Sequence, residues 1–441
     1  MVNRNSGSIA QWASSGLLIA LALVYANVTP YLNAVHGAES AFFAGMLLCI
    51  ILSVDRSNGI RRNLANLLPY FAFVLVFFLW GQAVGFDPAN PSAHAATAIR
   101  SQMIILGGLI VALCSRQRLA RFTELVQAAS ILNCAICLWE LGHPHYVYVF
   151  AHLVTGSVSH DIIDVRPGGL WPNANEAGFA FLIAILLSFW SRKSWMWAGR
   201  AAGVTGIFIT TSRTAAYLLV LCAIAYMIYS ALHAQDSESA RKEFRRWTAA
   251  VIIGLVLLLT LASGSIHRAL EGVGGEWHGG KFDRVGRLLD FEQKDAAARL
   301  PVTRRYLKRA IEAPWFGYGL STFTEYRGVF DDEGAHDIYL TVWGETGPFM
   351  LLAYLLVLAN GALRFSRTSM PPMDKLTIGL VWMSYLMIGF FWHDQFLNQD
   401  GMIYAGLLFL LPNISSTSSQ SANEAIRRPH PAPFTPVEAA S

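Results

Sequence analysis

The sequence is poor in charge: Asp, Glu, Lys and Arg make up only 14% of its 441 residues, against about 25% in an ordinary soluble chain. Hydrophobic residues make up 54%, and the mean hydropathy is +0.41. This composition argues against a water-soluble domain. With 33 basic and 29 acidic residues the net charge is only +4, so we expect no nucleic-acid partner.

Cysteine is also scarce, and its placement argues against a disulfide framework. All five cysteines lie in or at the edge of apolar stretches, and the C-x-x-C spacing at Cys134 and Cys137 has no βαβ context around it. We interpret these cysteines as helix-packing residues. The N-terminal apolar stretch lacks a small-residue cleavage site, so we expect an uncleaved anchor.

Long apolar runs, by contrast, are abundant. A helix that crosses a bilayer needs about 20 mostly apolar residues. The sequence therefore predicts an all-α, polytopic membrane protein with about twelve transmembrane helices, over windows 13–32, 39–54, 64–84, 97–114, 122–141, 175–190, 195–210, 214–233, 248–264, 337–363, 376–392 and 400–412.

Basic residues follow every second predicted span. The intervening short loops 33–38, 85–96 and 393–399 contain no Lys or Arg. This positive-inside pattern predicts that both termini are cytoplasmic and that the loops 142–174 and 265–335 face the outside. The predicted organisation is then N-terminal helices, external loop, central helices, large external loop with short helices, C-terminal helices and a disordered cytoplasmic tail, over 1–141, 142–174, 175–264, 265–335, 336–412 and 413–441.

The large loop contains one amphipathic stretch, 301–313. Pro301 suits a first helical position, and Pro314 ends the pattern. Tyr306, Leu307, Ala310 and Ile311 share one face, whereas Arg304, Arg305, Lys308 and Arg309 share the other. Such a helix can bind a functional anion or lie on anionic headgroups.

Residues 166–176 read RPGGLWPNANE, a polar turn between apolar stretches. Asn173 or Asn175 is predicted to cap the following helix, with Arg166 as a surface residue. Alternatively, the helix N-terminus and Arg166 form an anion site in which Glu176 orients the arginine.

Two further features fall at the same predicted membrane face. Arg213 lies between two apolar runs, where it either has a function or extends to lipid headgroups. His336 precedes an apolar helix and is a candidate general base. The pairs His336-Asp337 and His393-Asp394 and nearby loop aspartates show no diagnostic metal spacing, so we predict no metal and no other cofactor.

These motifs, in this order, resemble those of the O-antigen ligase and O-antigen (exopolysaccharide) polymerase family, the Wzy/WaaL-like membrane glycosyltransferases of GT-C type. The matching stretches are RPGG with PN at 166–173, SRT at 212–214, Arg299 leading into PWFGYG at 314–319, and HDIYL with ETG at 336–347. Asp337 stands where the family more often has Asn.

The resemblance implies transfer of a glycan from undecaprenyl diphosphate to an acceptor hydroxyl, at the periplasmic face of a bacterial inner membrane. His336 would be catalytic, and Arg166, Arg213, Arg299, Glu176, Asn173, Arg304 and Arg305 would bind diphosphate or glycan. The acceptor is lipid A–core in a ligase and another lipid-linked glycan in a polymerase. The long basic loop slightly favours the polymerase. A chain-length regulator or a flippase is a candidate partner, and a flippase-like transporter is the alternative function.

Overall fold

The computed structural model describes residues 4–33, 37–54, 58–84, 93–142, 167–171, 173–191, 193–210, 212–233, 294–320, 322–323, 335, 337–391 and 398–427. Within these ranges every regular element is a helix. The all-α class is therefore confirmed.

Fourteen α-helices are numbered here in chain order. They are α1 Arg4–Tyr25, α2 Thr29–Asn33, α3 Ala38–Ser53, α4 Asn58–Val84, α5 Ala93–Ala112, α6 Arg116–Gly142, α7 Ala174–Leu187, α8 Met196–Ile209, α9 Arg213–His233, α10 Lys294–Glu312, α11 Ile338–Thr346, α12 Pro348–Arg367, α13 Pro372–Ile388 and α14 Gln399–Arg427, all within the described ranges.

Four helices in the described part are long and apolar enough to cross a membrane: Gly59–Gly81, Arg116–Glu140, Arg213–Leu232 and Pro348–Arg367. Four shorter apolar helices accompany them, at Ile9–Tyr25, Ala38–Ser53, Ile99–Ala112 and Ala174–Trp190. These helices bear out a helical membrane protein. The total of about twelve spans stays a prediction, and the window 248–264 lies outside the described residues.

The core is built around α7. Almost every side chain of this helix is buried, so it occupies the middle of the bundle rather than its lipid-facing edge. α7 packs against α6, α8, α9 and α13. All five cysteines are free thiols in this structure. Because α7 follows the turn at 167–171, the fold fixes that turn at the end of its most central helix.

We call one end of the bundle the motif end. Helices α1, α4, α6 and α13 end there, and α7, α9, α11 and α14 begin there. Hydrogen bonds join these termini across long sequence separations, for example from Tyr25 Oη to the Ala180 carbonyl at 2.5 Å and from the Ile338 N–H to the Gly389 carbonyl at 2.9 Å. The fold therefore brings the starts of the motif-bearing helices to one face.

The opposite end, which we call the basic end, collects arginines and lysines. Arg116 forms an ion pair with Asp374 at 3.1 Å, and Lys193 pairs with Glu124 at 2.6 Å. Arg364 donates to the Ala65 carbonyl at 3.1 Å. These basic residues lie at the end that the alternation in the sequence predicts. The cytoplasmic location of this end stays a prediction.

Three elements differ from the sequence expectation. The predicted span 337–363 is divided at Gly347, because this glycine adopts φ +88° and Pro348 starts a new helix. The helix predicted at 301–313 begins earlier, at Lys294, with Pro301 inside it. The stretch DAAAR before the proline consists largely of strong helix formers.

The third difference concerns the tail. α14 continues through Pro412 to Arg427, so residues 413–427 are helical where we expected disorder. Ile414 and Ser415 are buried, and no proline follows until Pro429. The helix therefore extends beyond its apolar part, and residues 428–441 lie outside the described residues.

Candidate active site

A buried carboxylate holds the glycine turn that precedes α7. Glu140, near the end of α6, is only 1% exposed. One of its oxygens accepts hydrogen bonds from the backbone N–H groups of Gly168 at 3.1 Å and Gly169 at 2.8 Å. Buried backbone N–H groups need such partners, so Glu140 fixes the backbone from the second residue after Arg166.

Further side chains hold the rest of the turn. Asn133 Oδ1 accepts the Leu170 N–H at 2.7 Å, while the Leu170 carbonyl accepts from Asn27 at 3.1 Å and from Tyr31 at 2.9 Å. Residues 167–169 and 171 are buried, and these bonds satisfy polar backbone groups that water does not reach. The turn is therefore a rigid part of the bundle.

Trp171 ties the same turn to α14. Its indole Nε1 donates to Asp400 Oδ2 at 3.1 Å, and Asp400 is 2% exposed. A second oxygen of Asp400 accepts the Gly401 N–H at 2.9 Å. Two buried acids on two helices, Glu140 and Asp400, thus hold the turn from opposite ends.

The two glycines of the turn are required by space. Gly169 adopts φ +64°, and a Cβ there would collide with the side chain of Asn133. A Cβ on Gly168 would collide with the Trp171 carbonyl. The pair Gly168-Gly169 therefore permits the close approach that lets Glu140 reach both N–H groups.

Asn173 caps α7, as the sequence predicts. Its side-chain oxygen accepts the Asn175 N–H at 2.9 Å, and its backbone is extended. Glu176 lies in the first turn of the helix and is half-buried. The cap reading of this motif is confirmed; whether the same helix start binds an anion beside Arg166 stays a prediction.

Arg213 is the first residue of α9, and it is half-buried. The start of α9 lies directly on α7, because Gly178 faces Ser212 and Ala215 so closely that a Cβ on the glycine would collide with Ser212. The fold therefore places Arg213 beside the first turns of the helix that Asn173 caps.

The turn at 314–319 docks on the break between α11 and α12. The Tyr318 N–H donates to the Gly344 carbonyl at 2.8 Å, and the Gly319 N–H donates to the Glu345 carbonyl at 2.9 Å. Buried Glu345 also accepts the Phe323 N–H with its side chain at 3.1 Å. The P-x-x-G-x-G turn is thus joined to the helix that follows position 336.

Both neighbours of position 336 are held in place. The Ala335 N–H donates to the Phe323 carbonyl at 2.9 Å. Asp337 caps α11, since its Oδ1 accepts the N–H groups of Tyr339 at 2.8 Å and Leu340 at 3.1 Å. Asp and Asn cap helices about equally well, so the Asp found here preserves the local geometry that Asn would give.

Asp337 precedes α11 and lies outside the four candidate spans. Burial raises the pKa of its carboxyl above the ordinary value, and the two backbone N–H groups that it accepts act in the opposite direction. Its cap bonds to Tyr339 and Leu340 use one oxygen, and they make Asp337 the residue that starts α11.

The helix α10 reaches this region through part of its apolar face. Tyr306 and Ala310 are buried against Phe323, Ala335 and Leu340. Leu307 and Ile311, which share that face in sequence, are 39% and 63% exposed. Arg304 and Arg305 are also exposed. The helix therefore packs on the motif end by one edge and leaves its basic face outward.

Replacing Gly317 by alanine is expected to lower the free energy of unfolding by about 2–5 kcal/mol. Gly317 adopts φ +79°, and a Cβ there would collide with the backbone of Glu345. The midpoint of thermal unfolding of the purified protein measures the effect. Gly379→Ala is the matched control, because a Cβ at this helical position meets only ordinary contacts; equal midpoints for the two variants would contradict the docking role of the turn.

The structure thus brings Asn173, Glu176 and Arg213 to the motif end, together with the residues that flank position 336. Arg166 and His336 themselves lie outside the described residues, as do His393, Asp394 and most of the loops 142–174 and 265–335. Arg299 lies within α10, but its side chain is not among those described. Arg304 and Arg305 lie on the exposed face of that helix.

Sequence reasoning missed the acids that hold the site: Glu140, Asp400 and Glu345. Each is an ionisable residue at the end of, or inside, an apolar stretch, and such residues are costly to bury unless they have partners. That cost was the available signal. Within the described ranges, no group of three or more His, Cys, Asp or Glu residues lies close enough to hold a metal ion.

Comparison with known proteins gives one match. The family model described as O-antigen ligase matches residues 198–355, from α8 to the middle of α12. No curated protein and no solved structure matches the chain. The matched segment includes Ser212–Thr214, α10, the 314–319 turn and α11, and it leaves out the turn that precedes α7.

Proposed function

We propose that the chain, whose residues 198–355 match the O-antigen ligase family model, is a membrane glycosyltransferase that transfers a glycan from undecaprenyl diphosphate to an acceptor hydroxyl at the periplasmic face of a bacterial inner membrane. The family supports a membrane enzyme of O-antigen ligase or polymerase type. The observation that carries the finer proposal is the convergence of three motif-bearing helix starts, those of α7, α9 and α11, on one end of the bundle.

The chemistry assigned to this end is an inverting displacement. The acceptor oxygen forms a bond to the anomeric carbon as the bond from that carbon to the diphosphate breaks, and the hydroxyl proton passes to the His336 imidazole. Negative charge then develops on the leaving diphosphate. Arg166, Arg213 and Arg299 would neutralise this charge with guanidinium groups, so we propose that the reaction needs no metal ion.

The built geometry supports these roles. Glu140 holds the backbone beside Arg166, Asn173 caps α7, and the start of α9 lies on that helix. Asp337 and Ala335 fix the chain on both sides of position 336. Rigid attachment of this kind is what a displacement reaction needs, because a misplacement of about 1 Å can cost 100-fold in rate.

Transport of a lipid-linked glycan is the second candidate, and the break at Gly347 is the observation that favours it, since transporters use discontinuous helices. In this fold the break receives the 314–319 turn, whose N–H groups bond to the carbonyls of Gly344 and Glu345. Arg200, near the middle of the predicted span 195–210, donates to Ser188 Oγ at 2.7 Å, and its guanidinium carbon lies 4.6 Å from the centroid of the Phe189 ring. Both features therefore have structural partners, and transfer remains our proposal.

Reconstitution in vesicles separates these functions. With undecaprenyl-diphosphate-linked glycan as donor, we expect the purified protein to form a new glycosidic bond and release undecaprenyl diphosphate. A product on a second lipid-linked glycan identifies a polymerase, which the long basic loop favours; a product on lipid A–core identifies a ligase. Movement of the donor across the bilayer without bond formation would contradict the proposed transfer.

A further inference from the structure

The basic end contains a polar cavity that the proposed reaction does not use. Its volume is about 430 Å³, and it lies between the first half of α1, the end of α3 and the start of α6. Volumes of about 300–1,000 Å³ are typical of small-molecule sites. Because the helix starts of the proposed active site lie at the other end of the bundle, this cavity needs an explanation of its own.

The lining is basic and rich in hydroxyl groups. Arg118 and Arg121 lie on its α6 side, Ser14 and Ser15 on its α1 side, and Ser53 on its α3 side. None of the described residues that line it is acidic. Serine hydroxyls and guanidinium groups together are donors for phosphate oxygens.

One of these hydroxyls, that of Ser53, is buried and has no hydrogen-bond partner among the described residues. Ser53 is only 5% exposed. A buried polar atom without a partner is costly, and most such atoms bind a group that completes their bonding. The Ser53 hydroxyl borders the cavity, so a ligand there would supply the partner.

The two arginines differ in a way that suits binding. Arg118 donates through Nη1 to the Val111 carbonyl at 3.1 Å, which anchors its guanidinium and leaves other donors of the same group for a ligand. Arg121 is exposed at the mouth of the cavity. By contrast, Arg116 on the same helix forms an ion pair with Asp374.

We propose that this cavity binds the phosphate of an anionic phospholipid headgroup, with Arg118, Arg121 and Ser53 as the binding residues. Basic pockets between transmembrane helices on the cytoplasmic side are suited to such headgroups. Inorganic phosphate offers the same oxygen atoms without the lipid chains. The exposed apolar residues Leu52 and Val54 beside Ser53 would contact those chains, which favours the lipid.

Native mass spectrometry of the full-length protein in detergent, titrated with phosphatidylglycerol, tests this site. Each arginine near an anionic headgroup corresponds to about a fivefold gain in affinity. Arg121→Gln is therefore expected to weaken phosphatidylglycerol binding about fivefold, and the double variant Arg118→Gln with Arg121→Gln about thirtyfold. Ser53→Ala should weaken it by a smaller factor.

Arg367→Gln is the matched control, because it removes one exposed arginine from the same end without touching the cavity; we expect its affinity to stay at the wild-type value. Wild-type binding by Arg121→Gln and by the double variant, or an equal loss in Arg367→Gln, would overturn the site. Displacement of the lipid by millimolar inorganic phosphate would overturn the lipid as occupant, whereas retention of phosphatidylglycerol in that phosphate supports it.

Discussion

Replacing His336 by alanine is expected to reduce glycan transfer by about 100- to 10,000-fold. Without the imidazole, no group at this position accepts the proton of the attacking hydroxyl. Both flanking residues are held by backbone or cap hydrogen bonds that do not involve the His336 side chain, so we expect the fold to be unchanged. The measurement is the initial rate of transfer in vesicles, with protein insertion and thermal unfolding recorded in parallel.

His233→Ala provides the matched control. His233 is the last residue of α9, and Arg213 is the first, so a helix of about 30 Å separates this histidine from the motif end. We expect the control to transfer glycan at the wild-type rate. If His336→Ala also retained that rate, the assignment of His336 as general base would be wrong, while the match of residues 198–355 to the O-antigen ligase model would be unaffected.

Replacing Glu140 by alanine is expected to reduce transfer by more than about 100-fold, even though Glu140 does not contact substrate in our proposal. The change leaves two buried N–H groups, those of Gly168 and Gly169, without an acceptor. Each buried N–H group left without an acceptor costs about 1–3 kcal/mol. The turn beside Arg166 would then spend little time in its correct position.

Two further variants distinguish positioning from general stability. Glu140→Gln keeps an acceptor oxygen and is expected to recover a large part of the transfer rate. Glu124→Ala removes an acid from the other end of the same helix, where Glu124 pairs with Lys193, and should leave the rate almost unchanged. A positioning role also predicts that Glu140→Ala loses rate at saturating donor; normal transfer by this variant would rule the role out.

The helical class, most helix positions and the Asn173 cap were predictable because each depends on local pattern. Apolar runs of sufficient length give helices, and an Asn before such a run gives a cap. The break at Gly347 was harder to predict. The sequence contains the glycine, but its positive φ depends on the turn at 314–319, which docks there from a distant part of the sequence.

The acids that hold the site were not predicted because their partners are backbone groups far away in the chain. Glu140 and Gly168 are 28 positions apart, and Trp171 and Asp400 are 229 apart. Periodicity and motif spacing carry no information about such pairs. Only the presence of an acid in an apolar stretch indicated that a partner existed, and the three-dimensional fold was needed to identify it.

The bonds from Glu140 to the glycine turn also affect how the chain can vary. They join the end of α6 to the start of the turn, so the two ends of the intervening segment are held close together. For a closed segment, each doubling of length costs only about 0.6 kcal/mol. We therefore expect insertions or deletions within 143–165, which spare Arg166, to be tolerated without displacement of α7.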